Sequence, residues 1–212
     1  MQTVLVASSK GGCGKSTLVT SLATCHAQKG KHVTIIDADP QATSHAWCAR
    51  RPDNVPGVLA LAGPRQSTFD QVPADTDVLI IDSPAGIHDR MLEPLLEQAD
   101  AVLVPILPSG FDLDASTAFV QRLAAISRVR RGKLPVGIVA NRLKPWTRAS
   151  QSALDALREL PFPVVAEIRD SQAYVLLAGL GKGIFDYHSE HVLDHQHDWQ
   201  RLLRWLKRST PA

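Results

Sequence analysis

The chain has 212 residues, of which 44% are hydrophobic and 21% are charged. This composition predicts a single globular domain over residues 1–212, long enough to bury a core without disulfide or metal staples. The net charge is only +2, from 23 Lys and Arg against 21 Asp and Glu. That balance excludes a histone-like nucleic-acid binder and an acidic disordered chain, so any DNA contact must come from a local patch.

The cysteines and the first residues both favour a cytoplasmic protein. Cys13, Cys25 and Cys48 are an odd number and form no C-x-x-C pair, so a disulfide framework or zinc site is not expected. The apolar run at the N-terminus is too short for a signal peptide and predicts a strand instead. No segment approaches the roughly 18 apolar residues of a transmembrane helix.

Short β-branched runs alternate with longer helical patterns along the chain. The runs are apolar on both faces, as in strands of a buried parallel sheet, and lie at 3–7, 32–37, 77–82, 101–106, 136–141 and 164–168. Helices are predicted at 16–29, 43–51, 89–98, 113–131 and 149–160. We interpret 52–74 as a connector with one short strand or helix. This order predicts an α/β fold with a doubly wound, mostly parallel sheet flanked by helices.

A glycine-rich loop follows the first predicted strand. It reads Ser9-Lys10-Gly11-Gly12-Cys13-Gly14-Lys15-Ser16-Thr17. The Gly-Lys-Ser end is that of a P-loop, although Ser9 stands where the strict pattern has its first glycine. Glycines let backbone N–H groups turn towards an anion, and the helix N-terminus adds positive charge. Lys15 can then reach the β- and γ-phosphates, Ser16 the Mg²⁺ ion and Thr17 the α-phosphate. The alternative is a strand–helix turn without a ligand.

Aspartates stand at the ends of two more predicted strands. Asp37 and Asp39 are two apart on an extended chain and face the same side, and Asp82 follows four apolar residues. The carboxyl ends of parallel strands meet at the ligand crevice of a doubly wound sheet. The pattern therefore places these carboxylates at the ligand crevice, where Asp82, at the end of a Walker B-like strand, would bind Mg²⁺ through water or through Ser16. A turn or helix cap is the alternative role for Asp39.

The loop from Lys10 to Thr17 resembles the deviant Walker A motif, K-G-G-x-G-K-[ST], of the ParA/MinD ATPases. The resemblance extends through Asp-x-Asp-Pro-Gln at 37–41 and the Walker B-like strand before Asp82 to about residue 187. It implies a P-loop ATPase that binds ATP and Mg²⁺, closes as a homodimer on two nucleotides and hydrolyses ATP slowly. The short ParA type binds non-specific DNA. With a ParB-like or other adaptor, it partitions plasmids or chromosomes or positions cargo such as carboxysomes.

The resemblance also implies roles for individual residues. The catalytic set is Lys10, which crosses the dimer interface, Lys15, and Asp39, which orients or activates the attacking water. Mg²⁺ is expected at Ser16, Asp37 and Asp82. The nucleotide is expected to contact Gly11, Gly12, Cys13, Gly14, Lys15, Ser16, Thr17 and, through its adenine, Asn141. Asn141 could instead be a turn former.

Cys13 departs from the motif, because most relatives have Val or Ile at this position. Its thiol is either a reactive thiolate beside Lys15 or an inert buried group, with the second preferred. A metabolic P-loop enzyme such as dethiobiotin synthetase is a further hypothesis. Lys10 and the Asp-x-Asp-Pro-Gln segment count against it.

The last predicted helix, 189–208, has an apolar stripe and a basic face. The stripe is expected to dock on the domain and consists of Val192, Trp199, Leu202, Leu203 and Leu206. The basic face, Arg201, Arg204 and Arg208, is predicted to contact DNA phosphates on the nucleoid. The alternative is a membrane-surface helix like that of MinD. Four histidines at 188, 191, 195 and 197 are interpreted as a solvated face, with a metal pair at 191 and 195 as the alternative.

Overall fold

The structure, a computed structural model, describes residues 1–209 except for the side chain of His191. Seven strands form one sheet: β1 (Gln2–Val6), β2 (Val33–Asp37), β3 (Leu59–Ala62), β4 (Val78–Asp82), β5 (Ala101–Ile106), β6 (Val136–Leu143) and β7 (Val164–Arg169). Their order is β3-β2-β4-β1-β5-β6-β7, and neighbouring strands run parallel. The predicted doubly wound parallel sheet is therefore confirmed.

Helices connect the strands and cover both faces of the sheet. They are α1 (Lys15–Ala27), α2 (Thr43–Ala49), α3 (Gln66–Phe69), α4 (Asp89–Gln98), α5 (Gly110–Ala125), α6 (Ser127–Arg130), α7 (Arg148–Arg158), α8 (Gln172–Gly179), α9 (Glu190–His197) and α10 (Gln200–Ser209). A 3-10 turn lies at Ile184–Asp186. Within residues 1–209, no helix has the length and apolar character needed to cross a membrane.

The sheet separates two apolar cores, because successive strand side chains point to opposite faces. In β1, Val4 and Val6 pack in the core beneath α1 and the C-terminal helices, with Leu22 and Leu202 as neighbours. Leu5 points the other way, into the core beneath α4, α5 and α7. Burial on both sides explains why the strands are apolar without alternation.

Two predicted elements differ from the structure in the middle of the chain. The predicted helix 113–131 is interrupted at Ile126, whose backbone is extended with ψ of 131° and whose side chain packs against the core. After this break, Arg128 donates to the carbonyl oxygens of Glu97 and Ala99 at the end of α4, at 3.1 and 3.2 Å. The connector 52–74 contains both a strand, β3, and a short helix, α3, instead of one or the other.

The predicted last helix, 189–208, is also two helices. The break lies at Asp198 and Trp199. The Asp198 carboxylate accepts hydrogen bonds from the backbone N–H and Nε of Arg169 at 3.1 and 3.0 Å, while Trp199 is 1% exposed and donates from Nε1 to the Tyr174 hydroxyl. These contacts redirect the chain between α9 and α10. The expected docking of the apolar stripe is confirmed, since Val192, Trp199, Leu202 and Leu206 are buried and Leu203 packs against them.

Candidate nucleotide-binding site

Sheet register brings the two predicted metal-site carboxylates together. Asp37 ends β2 and Asp82 ends β4, and the two residues are direct partners in the parallel ladder. Val6 at the end of β1 is the partner of Asp82 on its other side, so the loop after β1 begins at the same level. Adjacent strands lie roughly 4.8 Å apart. The side chains predicted from three separate motifs therefore converge at one edge of the sheet.

The two carboxylates are buried and share one hydroxyl. Asp37 Oδ2 accepts from Ser44 Oγ at 2.9 Å and from the His45 backbone N–H at 2.9 Å, and its Oδ1 accepts from the Asp39 N–H at 3.1 Å. Asp82 Oδ2 accepts from the same Ser44 hydroxyl at 2.7 Å. Asp82 Oδ1 is buried without a hydrogen-bond partner in residues 1–209. No sequence motif marked Ser44.

Burial dominates the electrostatics of Asp82. It raises the pKa of the Asp82 carboxyl to about 6, and the charge of Asp37 acts in the same direction. The hydroxyls of Ser44 and Ser16 and the ammonium of Lys15 oppose this shift, because they stabilise the carboxylate. A buried carboxylate that has one oxygen without a hydrogen-bond partner in the described residues is suited to bind a cation.

The donor set fits Mg²⁺. Magnesium is usually bound through one or two carboxylates, with waters and substrate phosphates completing its octahedron. Asp82, Asp37 and the Ser16 hydroxyl supply such a partial set. The described part of the chain contains no cluster of three or more His, Cys, Asp or Glu side chains arranged for a metal ion. His191, half of the alternative histidine pair, has its side chain outside the described residues.

The phosphate loop has the backbone that its glycines predicted. Gly12 and Gly14 have φ of 78° and 92°, in the left-handed region that disfavours other residues. A Cβ added to Gly14 would lie 2.3 Å from Asn141 Nδ2. The same Asn141 amide donates to the Cys13 carbonyl oxygen at 2.8 Å, which holds the loop against the end of β6.

Ser8 organises the side chains beneath the loop. Lys15 is 7% exposed, and its Nζ donates to Ser8 Oγ at 3.2 Å and to the Lys10 carbonyl oxygen at 3.4 Å. The Cys13 thiol, 3% exposed, also donates to Ser8 Oγ at 3.0 Å. The predicted burial of Cys13 is confirmed, whereas the inertness of its thiol stays a prediction. Ser8 carries no motif signal and was missed by the sequence analysis.

Lys10 points away from its own phosphate loop. Its Nζ donates to the Phe111 carbonyl oxygen at 2.9 Å and lies 3.4 Å from Asp112 Oδ1, at the N-terminus of α5. The Lys10 side chain is 38% exposed, and Phe111 is 84% exposed. The first lysine of the motif therefore lies at the surface.

Asp39 joins two loops at the sheet edge. Its Oδ2 accepts from the Ala85 backbone N–H at 3.2 Å, in the loop after β4. Its Oδ1 accepts from the Gln41 N–H at 3.0 Å, so the turn role considered as an alternative is present as well. The half-buried carboxylate is thus held between the segment after β2 and the segment after β4.

A pocket opens beside the phosphate loop. One side is formed by Gly12, Gly14, Thr17 and Asn141, which the sequence analysis placed at the nucleotide. The opposite side consists of Ile168, Arg169, Asp170, Ser171, Gln172, Tyr174, Val175 and Trp199. The family resemblance implies that the first four of these belong to a late segment flanking the base, whereas no role at the nucleotide was predicted for the other four. Helical periodicity had placed Trp199 on an apolar docking stripe. Its contact with Tyr174 depends on the break before α10, which periodicity does not reveal.

The three predicted DNA-binding arginines lie together. Arg201, Arg204 and Arg208 are exposed and line one groove with Trp205 and the edge strand β7. Arg201 lies 3.9 Å from Glu167, which also pairs with Arg158 at 3.3 Å. Arg204 and Arg208 make no ion pair within residues 1–209. The three arginines that spacing predicted to share one helix face are therefore exposed on one surface of the molecule.

This fold and this loop define a P-loop nucleotide-binding domain, with a buried carboxylate pair as its candidate metal site. Residues 4–183 match the CobQ/CobB/MinD/ParA nucleotide binding domain, and the chain belongs to this family. It is 32% identical over 162 residues to Maintenance of carboxysome distribution protein A of Halothiobacillus neapolitanus, covering 73% of this chain and 74% of that protein. It is 33% identical over 157 residues to Protein ParA of Rhizobium radiobacter, covering 71% and 69%. Apo McdA of Cyanthece has the same fold, with a TM-score of 0.74, 17% identity and 99% of both chains covered.

Membership of this family makes the chain an ATPase of the ParA/MinD type that uses ATP and Mg²⁺. The phosphate loop with its adjoining pocket is the candidate ATP site, and the carboxylate pair is the candidate metal site. The named relatives support a positioning or partition role in general terms.

Proposed function

We propose that the chain is a short ParA-type positioning ATPase. It dimerises with ATP, binds non-specific DNA of the nucleoid in the cytoplasm, and releases it after slow hydrolysis stimulated by a ParB-like or other adaptor. The cargo is a plasmid, a chromosome or a body such as a carboxysome. The observation that supports this function most directly is Lys10, a motif lysine whose ammonium lies at the surface instead of in its own phosphate loop.

Different residues of the site have different roles in binding and hydrolysing ATP. The backbone of Gly11–Gly14 and the Lys15 ammonium bind the phosphates, and Asn141 with the adjoining pocket receives the adenine. Ser16, Asp37 and Asp82 hold Mg²⁺, which neutralises phosphate charge when bound. Asp39, between the two loops at the sheet edge, orients the attacking water.

Lys10→Ala is expected to bind ATP but remain monomeric, because the ammonium that reaches the partner's nucleotide is lost. Dimerisation is best measured in the Asp39→Ala background, where slow turnover keeps ATP bound. Light scattering with ATP should then give a dimer for Asp39→Ala and a monomer for the double variant. A dimer of equal affinity in the double variant would contradict the role of Lys10.

The arginine face of α10 supports DNA binding without base recognition. Phosphate contacts by Arg give salt-dependent, sequence-independent affinity, and two modest faces on one dimer act together. Because the net charge of the chain is only +2, binding should depend on this face and on the dimer.

Simultaneous Arg201→Ala, Arg204→Ala and Arg208→Ala is expected to abolish most ATP-dependent binding to non-specific DNA. The slope of log K against log salt should fall by about 0.9 for each DNA phosphate that the arginines no longer neutralise. The matched control removes three charges elsewhere, Arg130, Arg131 and Lys133 beside α6, which are exposed. DNA binding that survives the first triple substitution, or ATP-dependent sedimentation with lipid vesicles instead of DNA, would refute the assignment.

A further inference from the structure

Ser44, the second residue of α2, contacts both carboxylates of the metal site through one hydroxyl. Its Oγ lies 2.9 Å from Asp37 Oδ2 and 2.7 Å from Asp82 Oδ2, and the residue is fully buried. We propose that Ser44 is a positioning residue that fixes both carboxylates and leaves Asp82 Oδ1 free for Mg²⁺ and its waters. This inference deepens the proposed function and rests on binding of ATP with Mg²⁺ at this site.

Ser44 determines which carboxylate oxygen is available. Both oxygens of Asp37 are used by protein donors, Oδ1 by the Asp39 N–H and Oδ2 by Ser44 and the His45 N–H. Asp82 Oδ2 is used by Ser44. Of the four oxygens, Asp82 Oδ1 alone lacks a hydrogen-bond partner in the described residues. Asp37 is therefore a support, and Asp82 presents the free oxygen.

The position of Ser44 is set by contacts outside the metal site. The residue before α2, Ala42, has φ of 50° and ψ of 38°, a left-handed conformation that costs energy for a residue with a Cβ. The helix is held by Trp47, 1% exposed, whose Nε1 donates to the Lys182 carbonyl oxygen at 3.2 Å. The His45 N–H on Asp37 fixes its first turn. These contacts hold α2 in place, and α2 in turn fixes the position of the Ser44 hydroxyl.

The single Ser44 hydroxyl cannot compensate the negative charge of the two carboxylates that it contacts. Asp37 and Asp82 are 2% and 1% exposed, and the one hydrogen of Ser44 can be donated to only one of them at a time. Buried negative charge of this kind needs a cation. Without the hydroxyl, Asp82 Oδ2 loses its donor and the Asp82 carboxyl group can rotate, whereas the Asp39 and His45 N–H groups still hold Asp37. Removal of such outer hydrogen bonds at metal sites typically lowers metal affinity about 10–100-fold.

The test is the Mg²⁺ dependence of nucleotide binding, measured with a fluorescent ADP analogue. In EDTA, Ser44→Ala is expected to bind the analogue as wild type does, because the phosphate loop is intact. The Mg²⁺ concentration for half-maximal enhancement of binding should rise about 10–100-fold. Ser150→Ala is the matched control: it is 5% exposed, its Oγ accepts from the Lys144 N–H at 3.0 Å, and it lies on α7. Its Mg²⁺ dependence should stay unchanged.

Two results would overturn the assignment. One is a half-saturating Mg²⁺ concentration within about twofold of wild type, and the other is an equal loss of binding in EDTA and in Mg²⁺. If Ser44→Ala does not fold, Ser44→Cys decides by the same criteria, because a thiol has a similar size and is a weak donor. Failure of ATP–Mg²⁺ binding itself is distinguishable, because wild type would then show no Mg²⁺ dependence.

Discussion

Asp39→Ala is expected to reduce ATP turnover by about 10²–10⁴-fold while leaving ATP binding close to that of wild type. The carboxylate lies outside the phosphate loop but beside it, between the segments after β2 and β4. Its loss should therefore remove the group proposed to orient water and leave the groups proposed to bind phosphate. Steady-state phosphate release and equilibrium binding of an ATP analogue measure the two effects separately.

Two further variants separate charge from loop anchoring. Asp39→Asn retains an oxygen that can accept from the Ala85 N–H but loses the negative charge, and it should be as slow as Asp39→Ala. Asp155→Ala removes an exposed carboxylate on α7 that pairs with Arg158 at 3.3 Å, and its turnover should equal that of wild type. Wild-type turnover in Asp39→Asn would show that Asp39 anchors loops and has no part in catalysis.

Lys15→Ala is expected to weaken ATP binding by roughly 30-fold to 4,000-fold. The ammonium is 7% exposed and is held beneath the phosphate loop by Ser8 and the Lys10 carbonyl oxygen. Removing one partner of a buried charge pair costs roughly 2–5 kcal/mol, and each 1.4 kcal/mol is tenfold in affinity. Calorimetric titration with a non-hydrolysable ATP analogue measures the change directly.

Lys31→Ala is the control for lost positive charge. Lys31 is an exposed lysine that pairs with Asp77 at 3.2 Å, remote from the phosphate loop. It should bind ATP as wild type does. An affinity in Lys15→Ala within a few-fold of the control would mean that the phosphates bind elsewhere in the molecule.

The sheet and the convergence at its edge were predictable from the sequence. Strands buried on both faces leave an unbroken apolar signal, and aspartates at strand ends meet because parallel strands share one carboxyl edge. The left-handed backbone of the phosphate loop was predictable from its glycines. Positive φ at Gly12 and Gly14 disfavours residues with a Cβ on steric grounds.

Features that depend on tertiary contacts were not predictable. A helical pattern continues through Ile126 and Trp199, but core packing and the Arg169–Asp198 pair break the helix at these points. Ser8 and Ser44 are hydroxyls whose roles arise only when separate loops come together. A serine in a loop or a first helical turn has several local uses, so its partners cannot be derived from spacing.

Within a single subunit, Lys10 already binds the N-terminus of α5. This internal contact competes with any contact that Lys10 could make to a second subunit. Any partner that recruits the ammonium must first displace the Phe111 carbonyl and the Asp112 carboxylate. An exposed ion pair contributes roughly 0.2–1 kcal/mol, so this competition lowers the apparent affinity of association by about fivefold or less. In the proposed dimer, a cost of this size would restrain pairing of subunits without nucleotide, and a bound nucleotide would easily offset it.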